Sequence, residues 1–438
     1  MVNTVFNFLE QLNDFIWAHA AFVFIVGLGG YFAITSRLFQ VRQFFPIIGS
    51  FAQAFRKKTG GAGIHPLKTF FAAIGGCIGI GNIVGIATAV QLGGPGALFW
   101  TWVGGLMGML IQYAEVYLGL KYRVKNDQDS YDGGPMYFLP IAYRGKWIAP
   151  VICVLLCIYG VEIFMFNVMT DSISTNWGLN EYWVAALLLL ATITVALGGI
   201  NRVGEVCSAI IPLFILCYLG MGFWVLAQNY SLLPDIFRMI FEGAWTKQAA
   251  VGGFAGSSLM LTISMGLSRG AYSGDIGVGY TSIIYAESRT QQFGRQASMT
   301  IIGVFIDTFV ICTMSILLIL TTGHWKAGID PTLMVQEALS LFFPYMHLFM
   351  PFFLFLLGYT TILAYFVVGV KCARYLSPKW GPRLYYTYAI TALPLFAFVD
   401  PTQVFVVMSL SGALLLIFNL TGIFLLRKEV KFTLEHTP

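Results

Sequence analysis

The sequence predicts an all-α polytopic membrane protein of about 11 transmembrane helices, two of which are broken in the middle. Three observations predict this fold class. Of the 438 residues, 58% are hydrophobic and 10% are charged, whereas soluble domains carry about 25% charged residues. Eleven windows hold the roughly 20 apolar residues that a bilayer-spanning helix needs. Two of these windows contain clusters of glycine, which destabilises a helix interior by about 1 kcal/mol per residue.

We number the apolar windows as segments one to eleven. They cover approximately residues 17–36, 67–92, 97–120, 147–170, 181–199, 203–227, 249–286, 297–322, 346–370, 383–399 and 402–426. The seven cysteines lie in apolar stretches without a CxxC pair, and the five histidines are scattered. Neither a disulfide framework nor a metal site is therefore indicated. Because no catalytic cluster or phosphate-binding loop is present either, the sequence does not predict an enzyme or a cofactor.

The positive charges predict the orientation. Twenty-one of the 25 Lys and Arg residues lie in the loops after odd-numbered segments and in the C-terminal tail. Cytoplasmic loops carry such an excess, so we expect an integral protein of the plasma (inner) membrane with its N-terminus outside and its C-terminus cytoplasmic. The net charge of +5 reflects this bias and indicates the lipid bilayer, not nucleic acid, as the partner.

Segment two is the stretch around which the chain is organised. Its middle holds five glycines and an asparagine, namely Gly75, Gly76, Gly79, Gly81, Asn82 and Gly85. An unwound helix in a membrane is tolerated where it lines a cavity. There its carbonyl groups can bind a cation, and the N-terminus of the next half-helix can bind a carboxylate. Two alternatives stay open: close helix packing through small residues, and a capping role for Asn82.

Segment four carries polar groups within an apolar helix. Asn167 and Thr170 are three residues apart and so share a face, with Glu162 within reach of it. Phe164, Phe166 and Tyr272 are candidate walls of a pocket. Asn167 and Thr170 are predicted to contact the substrate.

Segment seven contains the second interruption. Residues 265–279 combine five glycines with Arg269 and Asp275, a composition that a continuous lipid-facing helix does not tolerate. Charged groups inside a membrane are costly and therefore suspected of function. We predict an internal ion pair, structural or gating, between Arg269 and Asp275, in preference to direct contact with a substrate.

Breaks in segments two and seven, five segments apart, are typical of a five-plus-five inverted repeat with a binding site where the breaks meet. The predicted divisions are a peripheral helix and basic stretch (1–64), a first repeat (65–228), a second repeat (229–428) and a cytoplasmic tail (429–438). In segment nine, Thr360 and Thr361 offer hydroxyl oxygens to a cation, or else bond to their own helix. Asp307 in segment eight is expected to be a structural partner, as is Glu115 in segment three.

Several blocks of the chain resemble the alanine or glycine:cation symporter family. They are GCIGIGNIVGIATAVQLGGPGALFW, YAEVYLGLKYR, GGPMYFL, GGFAGSSLM, LSRGAYSGDIGVG and GVFIDTFVICT, in that order. The resemblance covers roughly residues 70–426 and implies a leucine-transporter-like fold. It also implies secondary active transport of a small neutral amino acid, such as alanine or glycine, coupled usually to Na+.

The resemblance also implies which residues bind. The cation-binding residues it suggests in the first break and in segment nine are Gly75, Cys77, Ile78, Asn82, Thr360 and Thr361. For the substrate, we predict a carboxylate at the N–H groups of the first break and an ammonium at the second, with segments four and seven bounding the side chain. The residues predicted to bind the substrate are Gly76, Cys77, Gly79, Gly81, Asn82, Asn167, Thr170, Ser264 and Ser268.

The chain departs from the family pattern at the second break. Where the family reads ARGLFSNEAG, this chain has SRGAYSGDIG at residues 268–277. The same fold driven by protons, or without ion coupling, is therefore an alternative, motivated by Glu162 and Asp275. A non-transporting membrane sensor or a membrane enzyme is a more remote one.

Overall fold

The computed structural model describes residues 2–55, 63–126, 129–245 and 259–434, and these are almost entirely helical. Within them, six helices are long and apolar enough to cross a membrane, and one further pair, bent by 55°, passes the same test as a single broken span. Shorter apolar helices make up other predicted segments. The prediction of an all-α membrane fold is confirmed.

The first half of the chain forms segments one to six. Segment one is Val2–Phe15, a π-helical turn Ile16–Ala21 and Phe22–Thr35, followed by short helices Phe39–Arg42 and Phe44–Ala54. Segments two and three are Pro66–Cys77, Ile80–Asn82 and Val84–Gly93, then Ala97–Lys121. A two-stranded antiparallel ribbon, Val124–Lys125 with Tyr131–Asp132, and the helix Pro135–Ala142 come next. Segments four to six are Ile148–Tyr159 with Ile163–Trp177, Glu181–Ala196 and Gly199–Gln228.

The second half forms segments seven to eleven after a connecting turn Tyr230–Leu232 and helix Leu233–Gly243. Segment seven is Leu259–Ser273 and Tyr280–Ala286, and its predicted start at residues 249–258 lies outside the described residues. Segment eight is Phe293–Val304, a π-helical stretch Phe305–Cys312 and Thr313–Thr322. The turn His324–Lys326 and helix Pro331–Ser340 lead to segments nine to eleven, which are Met346–Leu376, Gly381–Ala397 and Pro401–Leu425, and a final turn follows at Arg427–Glu429.

Segment four is also interrupted, which the prediction of a continuous helix missed. Its two halves are separated by residues 160–162, and Glu162 adopts a left-handed conformation with φ of 52°. A side chain is strained there by roughly 1–2 kcal/mol. The chain therefore has breaks in segments two, four and seven.

The broken helices lie at the centre of the bundle. The first half of segment seven packs against segment three and the second half of segment two, while the first half of segment two packs against segments six and nine. Segment nine also packs along both halves of segment four. This packing brings the three breaks together, so their unpaired backbone groups face protein and not lipid.

Candidate functional site at the junction of the helix breaks

The first break begins where the helix Pro66–Cys77 ends. Gly79 is fully extended, with φ of −133° and ψ of −166°. Its N–H donates to Asn82 Oδ1 at 2.9 Å, so the asparagine satisfies a backbone group that the unwinding leaves without a helical partner. The alternative role of Asn82 as a local cap is therefore realised.

The second break runs from Gly274 to Gly279, and Asp275 within it has φ of 50°. Glu115 of segment three lies against the helix that follows. Its two carboxylate oxygens accept the N–H groups of Gly279 and Ser282, each at 3.1 Å, and the amide of Asn419 at 2.8 Å. A carboxylate at a helix N-terminus is favourable. Glu115 is thus a structural partner, as expected.

Asp307 connects the two breaks. One carboxylate oxygen accepts from Asn82 Nδ2 at 2.5 Å and from the Ser273 hydroxyl at 3.4 Å, and the other accepts from Thr308 at 2.9 Å. Asp307 is fully buried and lies in the π-helical stretch of segment eight. Such stretches occur often at functional sites. The carboxylate stands where the first break, the second break and segment eight meet.

Two glycines of segment two allow side chains of segments seven and nine to lie directly against its backbone. A Cβ on Gly76 would overlap the Tyr280 hydroxyl, which donates to the carbonyl of Ala72 at 3.1 Å. A Cβ on Gly79 would lie 2.7 Å from Thr361 Oγ1. Glycine is therefore needed at both positions for the neighbouring segments to reach the broken backbone.

A small cavity lies among the breaks, and we call it the central cavity. It encloses about 10 Å³, enough for about one water molecule. Its lining comes from segments two, four, seven and nine and comprises Gly76, Cys77, Gly79, Gly81, Tyr159, Glu162, Met165, Tyr272, Ser273, Asp275, Thr361 and Tyr365. Asp275 accepts a hydrogen bond from the Tyr159 hydroxyl at 3.2 Å. A larger ligand requires these side chains to move apart.

A second cavity, the outer cavity, adjoins the first. It measures about 240 Å³ and is lined by segment one, the first half of segment seven and segment eleven. Arg269, Ser264 and Ser268 belong to its lining, and Tyr272 lines both cavities. The tyrosine therefore separates a space large enough for a small solute from the junction of the breaks.

Comparisons with known proteins identify the family. The family model described as the sodium:alanine symporter family matches residues 2–436. The chain belongs to the sodium:alanine symporter family. It is therefore an integral membrane transporter and not an enzyme, and its membership supports cation-coupled amino-acid symport.

Relatives of this symporter include transporter YflA of Bacillus subtilis, 30% identical over 97% of this chain and 91% of that protein. The sodium/alanine symporter AgcS of Methanococcus maripaludis is 30% identical over 86% of this chain and 85% of its own. The probable sodium/glutamine symporter GlnT of B. subtilis is 27% identical over 95% and 87%.

Solved structures of transporters share the fold at low identity. A Na+-coupled sialic acid symporter has a TM-score of 0.53 at 13% identity, covering 96% of this chain and 87% of its own. A manganese transporter of Eremococcus coleocola has a TM-score of 0.53 at 14% identity, covering 82% and 75%. These likenesses concern the fold alone.

The prediction of an ion pair between Arg269 and Asp275 is wrong. The Arg269 guanidinium lies over the Phe405 ring, 4.7 Å from its centroid, in the outer cavity, whereas Asp275 faces Tyr159 in the central cavity. The reason is the turn of the chain after Ser273. The helix carries Arg269 towards segment eleven, and the break turns Asp275 towards segment four.

The predicted substrate contacts of segment four are also placed elsewhere. Asn167 Nδ2 donates to the carbonyl groups of Phe396, Ala397 and Val399 at 2.9–3.1 Å, where segment ten ends. Thr170 donates to its own helix at the carbonyl of Phe166. Both residues share a face, but that face packs against segment ten and does not line the central cavity.

Ser264 and Ser268 line the outer cavity and not the junction of the breaks. They lie on the first half of segment seven, before the break. Of the predicted pocket walls, Tyr272 lines the central cavity, whereas the Phe164 ring packs against Phe405.

The predicted cation-binding residues are partly brought together. Thr361 Oγ1 donates to the Gly75 carbonyl at 3.2 Å and to Leu357 at 3.1 Å, while Thr360 bonds to its own helix. Cys77, Gly79 and Gly81 line the central cavity, and Ile78 lies in the unwound stretch beside them. Thr361 is thus the threonine that reaches the first break.

Sequence reasoning missed part of this site. Tyr159 and Tyr365 line the central cavity, yet both stand in apolar runs that look like ordinary helix interiors. The only local signal was a glycine followed two residues later by an acid, Gly160 and Glu162, in an otherwise apolar segment. Their convergence depends on packing between distant segments.

A cluster of charged residues joins the C-terminal ends of segments seven and nine to the strand ribbon. Lys371 of segment nine forms ion pairs with Asp132 of the strand ribbon, at 2.7 Å, and with Glu287 after segment seven. Nearby, Ile64 and Ser288 pair as a short parallel bridge. Burial raises the pKa of Asp132, but the charge and hydrogen bond of Lys371, together with a hydrogen bond from Asn126 and the charge of Arg374, hold this pKa below its usual range. We call these residues the Lys371 cluster.

Proposed function

We propose that this protein carries a small neutral amino acid, such as alanine or glycine, across the plasma (inner) membrane together with Na+, by alternating access. The observation that carries the proposal is the junction of two helix breaks at a buried aspartate, Asp307, beside a closed cavity. Broken helices at such junctions bind substrate and coupling ion in secondary transporters. Membership of the sodium:alanine symporter family supports it.

The cation site we propose uses oxygens of the first break and segment nine. The Gly75 carbonyl and the Thr361 hydroxyl are 3.2 Å apart, and both are hard oxygen donors that suit Na+. The other oxygens proposed are the carbonyls of Cys77 and Ile78. Asn82, by contrast, directs its oxygen to Gly79 and its amide to Asp307, so we propose that it transmits the state of the cation site to the second break.

For the substrate we propose the central cavity, with the carboxylate at the backbone of Gly79 and Gly81. The small side chain would then face Met165 and Tyr272, which also line this cavity. The divisions predicted from the sequence, 65–228 and 229–428, are the two repeats that would move against each other.

The substrate must reach the central cavity from one side of the membrane and leave it on the other. We propose that the outer cavity opens to the outside and that the Lys371 cluster closes the cytoplasmic side. Tyr272 separates the outer cavity from the central one, and Lys371 joins the ends of segments seven and nine to the ribbon. The orientation with the C-terminus in the cytoplasm, proposed from the positive charges, agrees with this assignment.

Uptake of radiolabelled alanine and glycine into proteoliposomes tests the proposal. We expect accumulation under an imposed Na+ gradient, its loss when choline replaces Na+, and its loss in Thr361→Val, which keeps the shape of the side chain. Thr360→Val is the matched control, because its hydroxyl bonds to its own helix. Accumulation that is indifferent to Na+ would refute sodium coupling.

A proton-coupled mechanism is a second candidate. It is favoured by Glu162, which lines the central cavity beside Asp275. Uptake that persists in choline, rises with an imposed proton gradient and loses that dependence in Glu162→Gln would select it.

A further inference from the structure

The central cavity contains two acidic side chains and no basic one. Glu162 and Asp275 both belong to its lining, and that lining, drawn from the described part of the chain, includes no Lys, Arg or His. Arg269 lines the outer cavity instead, which shares only Tyr272 with the central one. The two carboxyl groups therefore have no basic side chain beside them in this cavity.

One carboxylate oxygen of Glu162 is held there without a hydrogen-bonding partner. The residue is 2% exposed, and no described residue forms a hydrogen bond with its Oε2. The Tyr272 hydroxyl, also in the cavity wall, has no such partner among the described residues either. A buried carboxylate oxygen without a partner is costly. The arrangement therefore favours a ligand that supplies hydrogen-bond donors.

Both acidic residues have an unusual backbone conformation. Glu162 and Asp275 have φ of 52° and 50°, in the left-handed region, where backbone strain persists at functional sites. Each stands at the break of its own segment, so each carboxylate enters the cavity from a different side. Asp275 accepts a hydrogen bond from Tyr159, whereas Glu162 Oε2 accepts none from the described residues.

The number of acidic groups in the cavity favours a ligand with more than one ammonium group. A neutral amino acid has one ammonium group, which can pair with one of the two acids of the cavity. An amino acid with a second ammonium group can pair with both. An ammonium also supplies three N–H donors.

We propose that Glu162 binds a side-chain ammonium, and that small diamino acids are substrates of this transporter in addition to neutral ones and in preference to neutral ones of the same size. The inference rests on the proposed function for the coupling cation and for the amino-acid backbone of the substrate. Glu162 is then a specificity-determining residue.

A matched pair of competitors tests this inference. In 2,4-diaminobutyrate an ammonium replaces the terminal methyl group of norvaline, so the two have the same size and differ by one charge. We expect the diamino acid to inhibit alanine uptake into proteoliposomes at concentrations at least tenfold lower than norvaline does. In Glu162→Gln, which keeps the shape, we expect the two to inhibit equally. Asp171→Asn, an exposed acid on the same segment, is the control and should preserve the difference.

The outcomes separate the two proposals. Alanine uptake with equal inhibition by both competitors in the wild type, or a difference that survives in Glu162→Gln, overturns the role of Glu162 and leaves the proposed function standing. Absence of alanine uptake refutes the proposed function. In that case, stabilisation of the purified wild-type protein, but not of Glu162→Gln, against thermal unfolding by 2,4-diaminobutyrate still supports the ammonium site. A Glu162→Gln variant that loses only a dependence on the proton gradient overturns the ammonium role.

Discussion

Replacing Lys371 with methionine should make the central cavity accessible from the side of the membrane that bears the Lys371 cluster. The ammonium lies between Asp132 and Glu287 with side-chain exposures of 11%, 25% and 10% respectively. Removing one partner of a buried ion pair costs about 3–5 kcal/mol. The partial exposure of Asp132 places the cost near the lower limit, at about 3 kcal/mol. Since about 1.4 kcal/mol corresponds to a tenfold change in an equilibrium constant, the closed state should lose about 100-fold in population relative to the open state.

Cys77 provides the assay, because it lines the central cavity. With the other six cysteines replaced, labelling by a membrane-impermeant maleimide applied from each side reports which side is open. We expect Lys371→Met to raise the labelling rate by up to about 100-fold from the side that bears the Lys371 cluster, and to lower it from the other. Lys68→Met is the control, since the Lys68–Glu205 pair is 36% and 55% exposed and exposed pairs contribute little to stability.

Two results would refute this reasoning. If Lys371→Met and Lys68→Met change the labelling of Cys77 equally, the Lys371 cluster does not hold the bundle closed. If Lys371→Met raises labelling from the opposite side, the cluster closes a different path from the one proposed.

Three further predictions follow from single contacts. The pKa of Asp132 is lowered in the closed state. Its contribution to the stability of that state is therefore complete above the usual pKa of Asp and is lost as the pH falls through the lowered value. The accessibility of Cys77 should therefore stay constant from about pH 5 to pH 8. Glu115→Ala leaves the N–H groups of Gly279 and Ser282 unpaired and removes one of the two hydrogen bonds of the Asn419 amide. It should lower stability in detergent by about 3 kcal/mol, whereas Glu115→Gln should lower it less. Gly76→Ala should abolish uptake because its Cβ overlaps Tyr280, whereas Gly85→Ala, with no atom within 4 Å of its Cβ, should not.

Each of these predictions has a contrary outcome that can be observed. A rise in Cys77 accessibility near pH 6 would show that another group controls closure. Equal unfolding midpoints for the wild type and Glu115→Ala would mean that the carboxylate does not stabilise segment seven. Wild-type uptake by Gly76→Ala would show that Tyr280 can move without affecting the junction.

Much of the architecture was predictable from the sequence because it depends on local composition. The length and apolar character of each segment set its capacity to span a bilayer, and the glycines near Gly79 and Gly277 set where two helices break. The break in segment four was missed, because one glycine at position 160 in an apolar run does not end a helix by itself. Contacts with segment nine, formed only in the folded bundle, stabilise that break.

The composition of the site was harder to predict than its position. The breaks in segments two and seven correctly located the junction, and Thr361 was correctly placed beside it. Asn167 was assigned to the substrate from its polarity and its helical spacing from Thr170, yet its amide binds the end of segment ten. A polar side chain in an apolar helix needs a partner, and the sequence does not tell whether that partner is a ligand or a distant carbonyl group.

The sequence by itself determined the membrane-spanning class and the two glycine-rich breaks, since hydrophobicity and local backbone freedom are properties of contiguous residues. The tertiary structure alone decided that Arg269 and Asp275 face different cavities, that Asp307 joins the breaks, and that Glu162 enters the central cavity. Those outcomes depend on the direction in which each side chain leaves its helix and on which segments pack together. The directions at Glu162 and Asp275 are set by left-handed turns that only the packed bundle holds in place.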